Sequence, residues 1–246
     1  MPADSQSIRV FVVDDHPAIR DALRDTCQRY EDLEIIGESG TAEDTFAGLE
    51  TSSPDVVVVD LSLGDAHGLD LIKSLTAQAP HLQILVYSMY DESVYAERAI
   101  QAGAAGYVMK SAPVASLVEG LRRVAKGEIY LSERMTSRIF QKLINPQPPG
   151  EDIDIDALTD RELEVFHLLG EGYLLDEIKD KLHVSRSAVD KYRRQAMKKL
   201  GCDSIRDLLR YAIRWFHAQG SGRSAAAPDP PASQEASGPP TEETGP

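Results

Sequence analysis

Between Ile8 and Met109 the chain alternates between two hydrophobic periods, and this alternation restricts its fold more than any other feature. The segments IRVFVV (8–13), LEIIG (33–37), DVVVV (55–59), QILVYS (83–88) and AGYVM (105–109) are short, apolar and often β-branched. Apolar residues at helical spacing occupy the stretches between and after them. They include Ile19, Leu23 and Cys27, then Leu69, Ile72 and Leu75, then Val114, Leu117, Leu121 and Val124. Strands alternating with helices predict a parallel sheet covered on both faces, and burial on both faces requires near-continuous apolar strands. The expected fold for residues 1–126 is an α/β, doubly wound, parallel five-stranded sheet. Ligands of such sheets sit beyond the carboxyl ends of the strands.

Charged and polar residues stand at those ends. Strand one runs into Asp14 and Asp15, strand three into Asp60, strand four ends in Ser88, and Lys110 follows strand five. Three carboxylates meeting at one edge repel one another strongly at low effective dielectric and stay ionised together only beside a cation. An all-oxygen set of this charge suits Mg²⁺, held by Asp14, Asp15 and Asp60, with Lys110 as a second positive charge. The set fits one reaction well. Asp60 attacks a phosphoryl group and becomes an aspartyl phosphate, Mg²⁺ and Lys110 offset charge on the phosphoryl oxygens, and Ser88 donates to one of them. A phosphatase with a nucleophilic Asp needs a second Asp two residues on, where this chain has Ser62. No P-loop is present, and no Gly-rich dinucleotide loop follows strand one. His16, beside the acidic pair, reads as a loop or cap residue without partners.

The pattern changes after residue 126. LSERMTSRIFQKLI (131–144) predicts a helix capped by Ser132 inside a linker, 127–157, whose remainder, NPQPPGEDIDIDA, is Pro-rich and acidic. From 158 to 218 the pattern is all-helical. TDRE (159–162) is a capping box, opening a helix that runs to about Leu169. A short helix near 174–182, a turn at HVS, a helix over 186–200 capped by Ser185 and ended by Gly201, and a last helix from Ser204 to His217 follow. Residues 219–246 are rich in Ala, Pro, Ser, Gly and Glu without periodicity, which predicts a disordered tail. No apolar run reaches the roughly 18 residues that a membrane span needs. The two cysteines fit no metal-ligand spacing and read as buried hydrophobes of a reducing cytosol. The net charge of −14 is unevenly spread. Residues 1–126 carry ten Lys+Arg against twenty Asp+Glu, whereas 179–199 carry eight against two. A basic helix suits a phosphate backbone.

Residues 8–126 resemble the receiver domain of bacterial two-component response regulators. VFVVDDHPAIRDAL, DVVVVDLSLGDAHGLDLIK, ILVYSMYDESVYAERAIQAGAAGYVMKSAP and IYLSERM carry the likeness. The resemblance implies a flavodoxin-like receiver fold, with Asp14 and Asp15 as the acidic pair, Asp60 as phosphoacceptor, Ser88 as switch hydroxyl, Tyr107 as switch aromatic and Lys110 as the family lysine. It further implies a sensor histidine kinase as phosphoryl donor. Ser88 then moves toward the phosphoryl group, Tyr107 turns inward, and the face around the fourth helix changes shape. Leu63–Gly64 stands where many receivers have Met-Pro, which predicts a looser loop after Asp60.

LLDEIKDKL and SRSAVDKYRRQAMKKLG, joined by HVS, read as a helix-turn-helix with a basic second member. Lys191 and Arg194 share a face, and Arg186, Arg193, Lys198 and Lys199 are candidates for phosphate contacts. Residues 158–216 resemble the DNA-binding domain of NarL/FixJ (LuxR-type) regulators through LTDRELEVFHLLGEGYLLDEIKDKLHVS and AVDKYRRQAMKKLG. Departures are Asp190, Tyr192, Lys179 and the pair Leu174–Leu175, so a base preference is not inherited. Asp190 in a groove repels phosphate but can accept from a cytosine amino group. The resemblance implies a homodimer through the last helix on two-fold DNA when phosphorylated. The expected protein is a cytoplasmic, non-enzymatic transcriptional response regulator that binds double-stranded DNA. The alternative is a phosphorylation-controlled protein-binding regulator whose helix-turn-helix no longer reads DNA.

Overall fold

The computed structural model describes residues 7–64, 66–144 and 155–220. The predicted alternation is realised as a parallel sheet of β1 (Ile8–Val13), β2 (Leu33–Ser39), β3 (Val56–Val59), β6 (Gln83–Ser88) and β7 (Gly106–Met109), in the order β2-β1-β3-β6-β7. Because every pairing is parallel, all five carboxyl ends share one edge. Strand order reverses between β1 and β3, the crevice where ligands bind in open α/β sheets. The four valines of β3 are fully buried, as a central strand between two helical layers must be. Helices α1 (Pro17–Cys27), α2 (Ala42–Thr51), α3 (Gly68–Gln78), α4 (Glu92–Ala102) and α5 (Val114–Val124) cover the sheet. Side-chain caps from Thr41 and Asp91 start α2 and α4, and Gly103, at φ 110°, ends α4 in the left-handed conformation.

Two short strands follow Asp60. Ser62–Leu63 (β4) and Ala66–His67 (β5) pair as an antiparallel hairpin, with Gly64 at φ 57° in its turn. Leu61 and Leu63 are buried, and the Gly68 N–H donates to the Leu61 carbonyl at 2.9 Å.

Tyr130 extends the sheet beyond α5. Its carbonyl accepts from the Tyr107 N–H and its N–H donates to the Ala105 carbonyl, both at 2.9 Å. The linker helix α6 (Glu133–Ile144) follows, with the Ser132 hydroxyl accepting from the Met135 N–H as expected of a cap. A 3₁₀ turn (Ile155–Ala157) leads into α7 (Asp160–Gly170), α8 (Leu175–Lys181), α9 (Arg186–Lys199) and α10 (Ile205–Gly220). The capping box at Thr159 and Glu162 is formed in both directions. Most of the Pro-rich segment and the stretch after Gly220 expected to be disordered lie outside the described residues. No described helix is long and apolar enough to cross a membrane.

The helical unit packs on the receiver-like unit through α7, which is buried from Glu162 to Gly170. His167 on α7 meets Tyr95 of α4 and Trp215 and Phe216 of α10, at ring-centroid distances of 6.3, 5.9 and 5.6 Å. Burial pulls its imidazole down to about 4, so it is neutral in the folded chain. Unfolding restores an ordinary histidine. Below pH 6.5 the unfolded state therefore binds a proton that the folded state refuses, and stability falls as pH drops from 6.5 towards 4. Chemical denaturation followed by Trp215, the single tryptophan, checks this. Between pH 7 and pH 4 the wild type is expected to lose about 3 kcal/mol more than His167→Phe. Identical pH dependence of the two proteins would refute the assignment.

Candidate functional site

The shared carboxyl edge collects the predicted residues. Asp14 follows β1 and is buried, Asp60 follows β3 and is buried, and Ser88 closes β6 with almost no exposure. Lys110, directly after β7, is fixed by its own backbone, whose N–H donates to the Ser88 carbonyl at 2.7 Å. From there its ammonium reaches both acids: Nζ lies 2.6 Å from Asp14 Oδ2 and 2.7 Å from Asp60 Oδ2. Burial raises the Asp60 carboxyl above its ordinary value, against the pull of Lys110. Burial also works against the Lys110 charge, but the attraction of Asp60 and its bonds to both acids outweigh it and raise the ammonium. Each partner thus favours the charged form of the other against the burial of both.

One Asp60 oxygen is committed to Lys110. The other, Oδ1, is buried and has no hydrogen-bond partner among the described residues. Ligand atoms of Asp14, Asp15, His16 and Asp60 lie within 4.8 Å of one another, a cluster able to hold a metal ion. An orphaned buried carboxylate oxygen facing further acidic groups is the donor chemistry that a hard cation fits. His16 needs correction in part. It does stand at the N-cap of α1, but it has partners: its Nδ1 lies 2.5 Å from Asp15 Oδ1 and 3.5 Å from Asp14 Oδ1.

Tyr107 is already inward here, with its ring buried and its hydroxyl donating to the Tyr90 carbonyl at 2.9 Å. Tyr90 went unnoticed in the sequence. Its N–H donates to Ser88 Oγ at 3.4 Å, and its hydroxyl donates to Glu164 Oε1 of α7 at 2.6 Å. Glu164 also accepts from Arg161 at 3.0 Å, while His67 Nε2 lies 3.6 Å away. Nearby, Arg98 of α4 and Lys73 of α3 each donate to Asp160, both at 2.9 Å. Arg98 reaches the carbonyls of Leu158 and Ile155 as well. Asp60 is thus linked through Lys110, Ser88 and Tyr90 to Glu164 on the first helix of the helical unit.

The second site is the helix-turn-helix. The turn between α8 and α9 puts His183 at φ 50°, a left-handed conformation rare outside glycine. Ser185 caps α9 by accepting from the Ala188 N–H. Val189 and Ala196 bury one face of α9, leaving Arg186, Lys191, Arg194, Lys198 and Lys199 exposed. Two of these cations, and the half-buried Arg193, are already paired. Arg186 donates to Asp176, Arg193 Nη2 lies 2.8 Å from Asp190 Oδ1, and Lys199 donates to Glu162 at 2.7 Å. Leu174, at the N-cap of α8, has no side-chain acceptor and is 70% exposed, so only the returning Glu177 carboxylate completes that cap.

Sequence reasoning also missed Gly68, the first residue of α3. A Cβ there would strike the Asp60 carbonyl oxygen and come within 2.6 Å of Leu61 Cα, both backbone atoms that cannot swing aside. The signal was a glycine opening a helix, where nothing in α-helical geometry asks for one. Gly68→Ala is expected to lower stability by about 1–3 kcal/mol through overpacking. A thermal midpoint equal to that of wild type would contradict this close approach.

Comparison with known proteins identifies the two regions in which these sites lie. Residues 10–122 match the family model of the response regulator receiver domain, and 156–212 match that of bacterial regulatory proteins, luxR family. The response regulator GacA of Pseudomonas aeruginosa is 30% identical over 207 residues, covering 84% of this chain and 96% of the relative. The oxygen regulatory protein NreC of Staphylococcus carnosus is 28% identical, covering 84% and 97%. Among solved structures, RcsB of Salmonella enterica serovar Typhimurium, bound to promoter rprA with the phosphomimetic BeF3-, aligns with a TM-score of 0.56 at 26% identity, over 85% of this chain and 99% of RcsB. With the acidic edge, its lysine and the basic helix in these two matched regions, the chain belongs to the response regulators of the NarL/FixJ type, a receiver joined to a LuxR-type DNA-binding domain.

Proposed function

We propose that Asp60 accepts a phosphoryl group from the phosphohistidine of a sensor histidine kinase and that the covalent mark governs binding of double-stranded DNA by α9. The observation that carries this reading is the Lys110 ammonium held between Asp14 and Asp60. An Asp60 carboxylate oxygen attacks phosphorus, a P–O bond forms, and the P–N bond breaks with its electron pair going to the imidazole. Mg²⁺ held by Asp14, Asp15 and Asp60 would neutralise charge on the phosphoryl oxygens. Lys110 keeps Asp60 ionised and in place, and the Ser88 hydroxyl donates to a phosphoryl oxygen once the β6 end shifts toward it. Beyond forming and losing its own aspartyl phosphate, the protein catalyses nothing on this reading.

The mark reaches the second domain through Tyr90. Drawing Ser88 toward a phosphoryl group disturbs the Tyr90 N–H contact, and the Tyr90 hydroxyl is bonded to Glu164. Glu164 is almost fully buried, so parting it from Tyr90 without solvating it is costly, and the coupling is strong. Phosphorylation then favours a population in which α7 is released from the receiver and α10 is free to join a second copy. Ile205 and Ile213 leave apolar surface on α10 for that contact. The division into a receiver over 1–126, a linker over 127–157, a DNA-binding domain over 158–218 and a tail belongs to the same proposal. So does a cytoplasmic location, supported by two free cysteines.

A second reading, a regulator that binds protein rather than DNA, is favoured by exposed Leu174 and by Asp190 on the reading helix. Labelling with a small-molecule phosphodonor tests the first half of the main reading. Wild type should incorporate one phosphoryl group and Asp60→Asn none, and equal labelling would exclude Asp60. For the second half, Lys191→Ala and Arg194→Ala are each expected to weaken binding to selected genomic DNA about tenfold at fixed salt. Unchanged affinity in both would remove α9 from the interface, and no DNA binding by wild type at any salt would favour the protein-binding reading.

A further inference from the structure

The basic surface of the helix-turn-helix carries its own competitors for phosphate. Asp176 is the second residue of α8 and Arg186 the first of α9, so their ion pair, at 2.5 Å, ties together the amino ends of the two helices. In a helix-turn-helix these ends border the groove: the second helix enters it amino end first, while the first crosses the backbone. One turn along α9, Asp190 Oδ1 lies 2.8 Å from Nη2 of the half-buried Arg193, an ion pair that makes no hydrogen bond. Both Asp176 and Arg186 are more than half exposed, and an exposed pair of this kind adds little to folding stability. Its consequence is electrostatic. Only Nη1 of Arg186 is engaged, so the carboxylate does not block a phosphate outright, but its charge cancels much of the arginine's attraction for one.

We infer that Asp176 and Asp190 limit the affinity of this surface for nucleic acid, each acting as an internal stand-in for a DNA phosphate. The inference rests on the DNA-binding reading. Lys191 and Lys198 have no carboxylate partner among the described residues, and the Arg194 Nε–H turns back to the Asp190 carbonyl. These three cations remain available for sequence-independent attraction, while Arg186 and Arg193 engage only where a well-fitted site repays the exchange. The carboxylates suppress general adhesion to DNA and leave the specific complex comparatively stronger.

The test uses the full chain and a fluorescent 30-base-pair duplex of random sequence, titrated between 50 and 200 mM salt. Asp176→Asn and Asp190→Asn are each expected to tighten binding at 50 mM about threefold and to steepen the slope of log affinity against log salt by about 0.9, the counterion release of one more phosphate contact. Adding Arg186→Ala to Asp176→Asn should abolish that gain. Glu31→Gln removes the same charge from an exposed site on the receiver and should change nothing. Wild-type slopes in both Asp variants would overturn the inference, as would an equal gain from Glu31→Gln, which would reduce it to net charge. If wild type and every variant fail to bind at any salt, the DNA-binding reading falls and takes this inference with it.

Discussion

The structure depends on one ammonium group shared by two buried carboxylates. Lys110 can touch Asp14 and Asp60 together only because three parallel strands end at the same edge, and the strand order keeps β1 and β3 adjacent. Two carboxylates so close and so dry repel each other, and the ammonium between them offsets that repulsion. With Lys110 bound to one oxygen of Asp60, the other stays uncommitted. The valines of β3 are the other half of the arrangement. A strand buried on both faces cannot slide, so the carboxylate at its end is placed with the rigidity of the core.

A comparable logic governs the contact between the two units. It contains apolar packing around His167, but its centre is polar: Glu164 is enclosed with Tyr90, Arg161 and His67, and Asp160 with Arg98 and Lys73. A buried carboxylate adds little net stability over an apolar substitute, because its desolvation offsets its attractions. It does impose geometry. An apolar surface could dock in several registers, whereas Glu164 is satisfied in one. The recognition helix stays outside this contact with its basic face exposed, so the receiver holds the back of the helix-turn-helix.

The receiver was legible because its signals are local and periodic. Runs of valine and isoleucine announce buried strands, and the residues that end them carry the chemistry. Helix starts at Thr159 and Ser185 were equally plain, because capping depends on residues three apart. What escaped notice links residues far apart in the chain. Nothing in the local pattern marks Tyr90, Glu164 or Gly68. Each has meaning only through a neighbour distant in sequence or through a backbone atom that no pattern displays. The charge count misled for the same reason. Residues 179–199 count as strongly basic, yet Asp176 and Glu162, outside that window, neutralise two of its cations.

Tyr90 touches both halves of the molecule, accepting from Tyr107 through its carbonyl and donating to Glu164 through its hydroxyl. A residue so placed conducts in either direction, because the free energy linking two sites is the same whichever one is perturbed. Whatever draws α7 away from the receiver must also alter the setting of Ser88 and Asp60, by the same factor with which a phosphoryl group on Asp60 alters α7. On the proposed function, DNA that holds α7 apart would be an effector of Asp60, shifting the phosphorylation equilibrium by the same factor.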